Sequence, residues 1–293
     1  MASLKDIRTR INSVKTTRQV TSAMKMVSAA KFKKAQDNVE HIRPYMNRLN
    51  HIINSLGINM ELEENYEWFK KRGKGKVLLV PFSSNRGLAG SFNANVIKET
   101  ERLIESTYKN DLKTSNLHIM AVGKQVGKAL YAHHYPVVGH FNDLYQDVNW
   151  ETVEMLSEAL VKHFLDGDYR EIHFIYNQFI NAASQQVKVL QFLPFEVRNN
   201  NFENGHFSDF IIEPGRDEVI RMLVPKAIHT SFFQVVLESL ASEHGARMTA
   251  MHKATDNATD LINELQLAYN KARQGAITSE ISEIVGGAEA QNK

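Results

Sequence analysis

The chain has 293 residues, 35 Lys/Arg against 33 Asp/Glu for a net charge of +2, and no cysteine; that length suits one large or two modest domains with a sizeable core. Balanced charge excludes a globally polybasic nucleic-acid binder and an acidic disordered tail protein, and the lack of cysteine excludes a disulfide scaffold, thiol catalysis and Cys-ligated zinc and fits a reducing compartment. The longest apolar run, Val77 to Phe82, is far below the roughly 18 residues of a membrane helix, and the start Met1 to Asp6 reads as neither a signal nor a transit peptide, so a mature soluble chain is expected.

Charge is uneven along the chain. Residues 1–56 hold 11 Lys/Arg and 3 Asp/Glu (+8), residues 57–208 hold 16 and 18 (−2), and residues 209–293 hold 8 and 12 (−4). The two ends are complementary in sign, which suits antiparallel pairing, although exposed pairs at about 0–1 kcal/mol each guide such pairing more than they hold it.

From Ser3, an N-cap candidate with Asp6 at the third helical position, apolar residues recur at Leu4, Ile7, Ile11, Val14, Met24, Val27, Ala35, Val39, Ile42, Met46, Leu49, Ile53 and Leu56. Steps of three and four predict an amphipathic helix with a coiled-coil-like seam, interrupted by the polar stretch Thr16–Thr21 and kinked near Pro44. At about 1.5 Å per residue such a helix reaches roughly 75 Å, so part of it protrudes from a domain of this size.

In the middle, Lys76–Pro81, Leu117–Val122, Glu171–Asn177 and Gln186–Phe192 read as strands. Helical patterns over Phe92–Ile104, Lys124–Ala132 and Trp150–Leu165 separate them. This alternation predicts βαβ units and a mainly parallel sheet. The Asn-rich stretch Arg198–Gly205 reads as a loop.

After Glu213-Pro214-Gly215, a short helical stretch runs over Asp217–Leu223, and Pro225 suits the first turn of a new helix. That helix has no further proline to Val285, and its pattern ends near Gly286-Gly287. Ala241, Gly245, Ala246, Ala250, Ala254 and Ala258 would let a partner helix approach closely.

Chemistry-bearing motifs are mostly missing. Gly123-Lys-Gln-Val-Gly127-Lys128-Ala129 is one residue short of a phosphate loop and has Ala where Ser or Thr would hold magnesium. Gly73-Lys-Gly75-Lys76 precedes a strand, so it opens no helix toward a pyrophosphate. His133 and His134 diverge by about 100° on a helix and do not chelate one ion. No catalytic residue, cofactor or metal is therefore expected. The basic run Lys25, Lys31, Lys33, Lys34 has one interleaved aromatic, Phe32, which is weak for a nucleic-acid surface and suits a solvated face or one that docks on acidic protein.

Three sets of residues resemble the gamma subunit family of the rotary proton-translocating ATP synthase. They are Leu4-Lys-Asp-Ile-Arg8-x-Arg10-Ile11 with Thr21–Val27, the loop Ser84-Asn-Arg86-Gly87-Leu88-Ala-Gly90-x-Phe92-Asn93, and the C-terminal runs Leu240–Met248, Ala254–Ala258, Asn270–Gln274 and Ile277–Ala288. In the loop, Asn85 and Ala89 stand where Asp and a small or sulfur residue are commonly expected of the family. The fold class implied is α/β, a long antiparallel coiled coil of N- and C-terminal helices plus a Rossmann-like mainly parallel domain. The boundaries are 1–56, 74–195 and 209–293.

The resemblance further implies a non-catalytic central-stalk rotor that couples proton flow to ATP synthesis or the reverse. Its partners would be three alpha and three beta subunits per copy, an epsilon subunit and the membrane c-ring, with no nucleic acid. Its location would be the cytoplasmic face of a bacterial inner membrane, because neither a regulatory cysteine insertion nor a transit peptide is expected here. By resemblance, Met24, Lys25, Glu243, Arg247, Arg273, Gln274, Thr278 and Glu280 contact the alpha/beta head, and Glu213 lies in the foot near the c-ring and epsilon. The alternative is a coiled-coil adaptor whose basic helix binds nucleic acid or anionic membrane.

Overall fold

The computed structural model describes residues 4–56, 66–145, 148–182, 184–196 and 212–291, residues 289–291 by backbone alone. Ser3 and the stretch 198–205 lie outside the described residues. The elements run α1 (Leu4–Ser55), β1 (Lys76–Pro81), α2 (Phe92–Ser106), α3 (Lys109–Lys113), β2 (Leu117–Val122), α4 (Lys124–Ala132), β3 (Val137–Phe141), α5 (Trp150–Leu165), β4 (Tyr169–Asn181), β5 (Ser184–Leu193) and α6 (Arg216–Gln291). Two compact units are present, Met1–Ser28 with Met248–Lys293, and Ala29–Arg247.

In the larger unit the sheet has the order β3-β2-β1-β4-β5. Pairing is parallel across β3, β2, β1 and β4, and antiparallel between β4 and β5. The expected mainly parallel sheet is observed, with an antiparallel edge. Strand β1 explains why its sequence reads as an unbroken apolar run. Val77 and Leu79 join one core with Val96, Ile104, Val126 and Leu130, while Leu78, Val80 and Phe82 join another with Phe164, Phe174 and Phe232. A parallel strand covered by helices on both faces needs apolar residues at every position.

The second core holds α6 to the sheet. Phe174 stacks on Phe192 with ring centroids 4.3 Å apart, Phe232 of α6 lies 4.9 Å from Phe174, and Phe82 meets Phe174 edge-on at 5.4 Å. Within this unit α1 and α6 run antiparallel. Arg43 pairs with Glu238 at 3.0 Å, while Gly245, further along α6, leaves room for the earlier Phe32, whose ring would sit 3.3 Å from an added Cβ. The small residue therefore allows the close helix approach its sequence position suggests.

In the smaller unit, α1 and α6 are again antiparallel. The Thr21 and Thr255 hydroxyls are 2.9 Å apart and Lys25 Nζ reaches His252 Nδ1 at 3.3 Å. Ile11, Ser28, Met251, Ala258 and Ile262 are buried.

Several sequence expectations change. The stretch Thr16–Thr21 does not interrupt α1, because Thr16 and Thr17 donate their hydroxyls to the Asn12 and Ser13 carbonyls at 3.1 Å and Thr21 donates to Arg18 at 3.0 Å. Satisfied within the helix, these groups do not compete with it. Pro225 does not begin a helix but lies inside α6. Ile220, Val224, Ala227 and Ile228 are buried on both sides of it, and four such side chains outweigh the ~3 kcal/mol cost of an interior proline. Nor does α6 stop at Gly286-Gly287; it continues to Gln291, since glycine lowers helix propensity by only about 1 kcal/mol and does not forbid the conformation. Strand β3 was not expected; with five residues, a central Gly139 and an edge position, it has a weak sequence signal. His133 caps α4 and His134 has φ +62°, so neither lies within the helix.

Truncation of Phe232 to Ala should lower the unfolding free energy of the chain by about 3–5 kcal/mol, as removal of a fully packed aromatic does. Urea denaturation checks this. A loss below about 1 kcal/mol would show that α6 is held to the sheet by something other than the aromatic cluster.

Candidate functional site

The chain leaves β1 toward β2 on one side and reaches β4 on the other. The crevice beyond the C-terminal ends of β1 and β4 is where open α/β sheets take their ligands. Beside it, beyond the ends of β1 and β2, the protein satisfies its own groups. Ser83 Oγ accepts the Val126 amide at 3.0 Å, Asn85 Oδ1 accepts the Lys124 amide at 3.1 Å and the Ser84 carbonyl accepts the Gln125 amide at 3.2 Å. The first amides of α4, which would otherwise face an anion, are satisfied within the chain. Gly123 makes this approach feasible: its φ is +89°, and a Cβ there would lie 2.0 Å from the Ser83 carbonyl oxygen.

Helix α6 closes the crevice itself, between β1 and β4. Ala246 packs on Ala89 and Phe92. Ser242 donates to the Asn177 carbonyl at 2.9 Å, and Asn177 Nδ2 donates to the Phe92 carbonyl at 3.1 Å. Glu243 and Arg247 are brought together one turn apart, with Arg247 Nη1 donating to Glu243 Oε1 at 2.6 Å and Nη2 to the Arg86 carbonyl at 3.1 Å. Both are buried, at 7% and 8% exposure. Burial raises the Glu243 carboxyl above its ordinary range, opposed by Arg247 and more weakly by Lys31. The sequence pattern shows these two residues as a helical i,i+4 pair but not their link to a loop 161 positions earlier.

The remaining predicted site residues lie apart from this pair in type of environment. Met24 and Lys25 are half-buried on α1, Lys25 against His252, and the strongly exposed neighbours are Met26 at 65% and Val27 at 59%. Arg273, Gln274, Thr278 and Glu280 are all exposed along α6, where Thr278 donates to the Gln274 carbonyl at 2.9 Å. Glu213 is exposed just before α6. Ile277, Ile281 and Ile284, which recur at helical spacing in the same stretch, are exposed, as are Leu267 and Val285.

Other polar groups escaped the sequence reading because their partners are remote. Glu238 is fully buried and accepts from Arg43, which also donates to the Phe179 carbonyl at 2.6 Å. At the start of β4, Arg170 holds Asp111 through two bonds of 2.7 and 3.1 Å, while Tyr108 and Glu171 meet His173 at 2.9 and 3.0 Å. Burial raises the Tyr108 hydroxyl above its usual range. Among the described residues, no group of three or more His, Cys, Asp or Glu is placed to hold a metal, and no helix is long and apolar enough to cross a membrane.

His244, between Glu243 and Gly245 on α6, is pushed down to about 4 by burial and by Arg247 and Lys31, and its Nδ1 is buried without a hydrogen-bond partner. Between an unfolded value near 6.5 and about 4, the unfolded chain binds the extra proton. Stability is therefore complete above about pH 6.5 and is lost as pH falls toward 4, by roughly 2–3 kcal/mol. His244→Gln should flatten that part of the profile in thermal denaturation of the chain between pH 7 and pH 4; an unchanged slope would assign it to other groups.

Comparison with known proteins fits this geometry. A family described as ATP synthase matches residues 3–291. The ATP synthase gamma chain of Flavobacterium johnsoniae is 47% identical over the whole of both chains, and that of Christiangramia forsetii is 45% identical, again over both in full. The gamma chain of Geobacter metallireducens is 39% identical over 99% of each. Among solved structures, a chain in the Tetrahymena thermophila mitochondrial ATP synthase central stalk and c-ring has a TM-score of 0.58 at 25% identity, covering 80% of this chain and 99% of that one. A chain of the Euglena gracilis mitochondrial ATP synthase shares the fold with a TM-score of 0.66 at 20% identity, covering 98% of this chain and 94% of that one. Matched from end to end in sequence, and in fold by a chain of a central stalk, the chain belongs to the ATP synthase gamma-chain family and has that family's non-catalytic central-stalk role.

Proposed function

We propose that this chain turns inside a head of three alpha and three beta subunits, one copy per head, with epsilon and the membrane c-ring at its foot. The observation that carries this reading is the end of α6. There Ile277, Ile281, Ile284 and Val285 recur on one helical face and are exposed, interleaved with Arg273, Gln274, Thr278 and Glu280. An apolar stripe at that spacing is ordinarily covered, and a surrounding sleeve of subunits would cover it at every angle of rotation.

No catalytic group in this chain is needed. A shaft without threefold symmetry touches three otherwise equivalent catalytic subunits differently and stabilises a different conformation in each. Turning the shaft permutes those conformations and so couples proton flow through the c-ring to ATP synthesis, or hydrolysis to pumping. Met24, Lys25, Arg273, Gln274, Thr278 and Glu280 are assigned to contacts with the head and Glu213 to the foot, whereas Glu243 and Arg247, which the resemblance also places at the head, are buried against the chain's own loop. The location that follows is peripheral, on the cytoplasmic face of a bacterial inner membrane; the +8 charge of residues 1–56 serves docking on acidic protein in this reading.

Reconstitution with alpha and beta subunits tests the assignment. Native mass should give a complex of three alpha, three beta and one copy of this chain with stimulated ATPase turnover, and failure to form any complex would overturn it. In the assembled enzyme, Arg273→Ala with Gln274→Ala should cut ATP-driven proton pumping about tenfold, equivalent to about 1.4 kcal/mol of lost contact, while far-UV circular dichroism of the chain stays unchanged. Full pumping in that double variant would remove both residues from the contact set.

A further inference from the structure

Arg247 makes its two bonds in different directions. One arm donates to the Glu243 carboxylate at 2.6 Å on its own helix; the other donates at 3.1 Å to the carbonyl of Arg86, in the loop between β1 and α2. That carbonyl also accepts the Ser84 hydroxyl at 2.5 Å. The loop is held elsewhere by the Ser84 amide on Asn93 Oδ1 at 2.9 Å and by Asn85 Nδ2 on the Asn142 carbonyl at 2.6 Å. At its tip, Arg86, Gly87 and Leu88 are exposed, and Leu88 has φ +62°. A non-glycine residue in that region costs energy and persists where the surroundings dictate it.

With Arg247 only 8% exposed, reaching outward to another subunit would leave Glu243 buried without its cation, an arrangement that is strongly unfavourable. We infer that Arg247 is a positioning residue: it clamps the Ser84–Ala89 loop onto α6, so that the helix and the β1–α2 loop turn as one body, and does not itself touch the head. The inference rests on the central-stalk function proposed above and changes the role of Glu243 and Arg247 within it. Glu243 is the counter-charge that keeps the guanidinium in the interior. Arg86 and Leu88 are what the clamp presents.

Arg247→Lys separates the clamp from a simple charge contact. Lysine retains a cation for Glu243 but lacks the planar fork that serves two acceptors in fixed directions. In the full chain alone, amide hydrogen exchange over residues 84–93 should quicken by about tenfold or more, the loss expected from one hydrogen bond to a charged donor, with the sheet amides of β1 and β4 unchanged. In the reconstituted complex, the same variant should assemble normally but pump fewer protons per ATP hydrolysed. Asn93→Ala, which loosens the loop from its other side and leaves Arg247 in place, should reproduce that coupling loss. Wild-type exchange in Arg247→Lys, or wild-type coupling in a variant whose loop exchange has quickened, would overturn the clamp. Failure of the wild-type chain itself to assemble with the head would instead count against the central-stalk function, and the exchange result would still decide whether the clamp exists.

Discussion

The contact on which the larger unit depends is the aromatic cluster of Phe82, Phe174, Phe192 and Phe232, in which two strands, the residue just after β1 and one helix share rings separated by 4.3 to 6.1 Å. Each buried ring contributes roughly 1.5–3 kcal/mol, but its consequence is also geometric. Once Phe232 faces the sheet, helical periodicity places Val235, Ser239, Ser242 and Ala246 on the same side. The serines meet Tyr145 and the Asn177 carbonyl, and Ala246 meets Ala89 and Phe92. A second stripe, Gln234, Glu238, Ala241 and Gly245, takes the α1 side, where Arg43 and Phe32 lie. Two packed faces explain why this stretch of α6 is buried nearly all round.

Two of the charges buried along these faces, Glu238 and Arg247, take a partner from a distant part of the chain, and Glu243 takes Arg247 one turn away. Glu238 depends on Arg43, and Arg247 depends on Glu243 and on a loop carbonyl. Such pairs add little net stability over an apolar filling, but removing one member is costly. Their effect is to reject alternative registers of α6, because a slip by one turn would leave a carboxylate or guanidinium buried alone. A helix that must carry torque without sliding has use for groups of this kind.

The smaller unit and the end of α6 follow a different rule. Seam positions such as Ile11, Met251, Ala258 and Ile262 are covered, while Met26, Val27, Leu267, Ile277, Ile281 and Ile284 are exposed. The contrast with the saturated crevice beyond β1 and β4 is instructive. The position where related sheet topologies bind small ligands is closed by α6, and exposed apolar side chains lie along the helices instead. A surface of this distribution suits contact with large partners.

Much of this architecture is legible in the residues. The limits of β1, β2, α4 and α5 follow from apolar runs and their punctuation, because a strand buried on both faces and an amphipathic helix each leave a local signature. The long terminal helices are equally local in origin. Where the reading erred, at Thr16–Thr21, Pro225 and Gly286-Gly287, propensity was outweighed by hydroxyl bonds within the helix or by packing, or was too small to decide. Arg273, Gln274, Thr278 and Glu280 are assigned by likeness of motif, to which the structure adds only that they are exposed. The pairing of Arg247 with Arg86 and of Arg43 with Glu238, by contrast, spans 161 and 195 positions. Sequence by itself determined most of the elements, their order and the family, since those rest on periodicity and motif, but not the short edge strand β3 or the continuity of α6 through Pro225. Only tertiary structure decided which charged side chains are interior clamps and which are free to meet a partner, because burial and direction are properties of the packed chain.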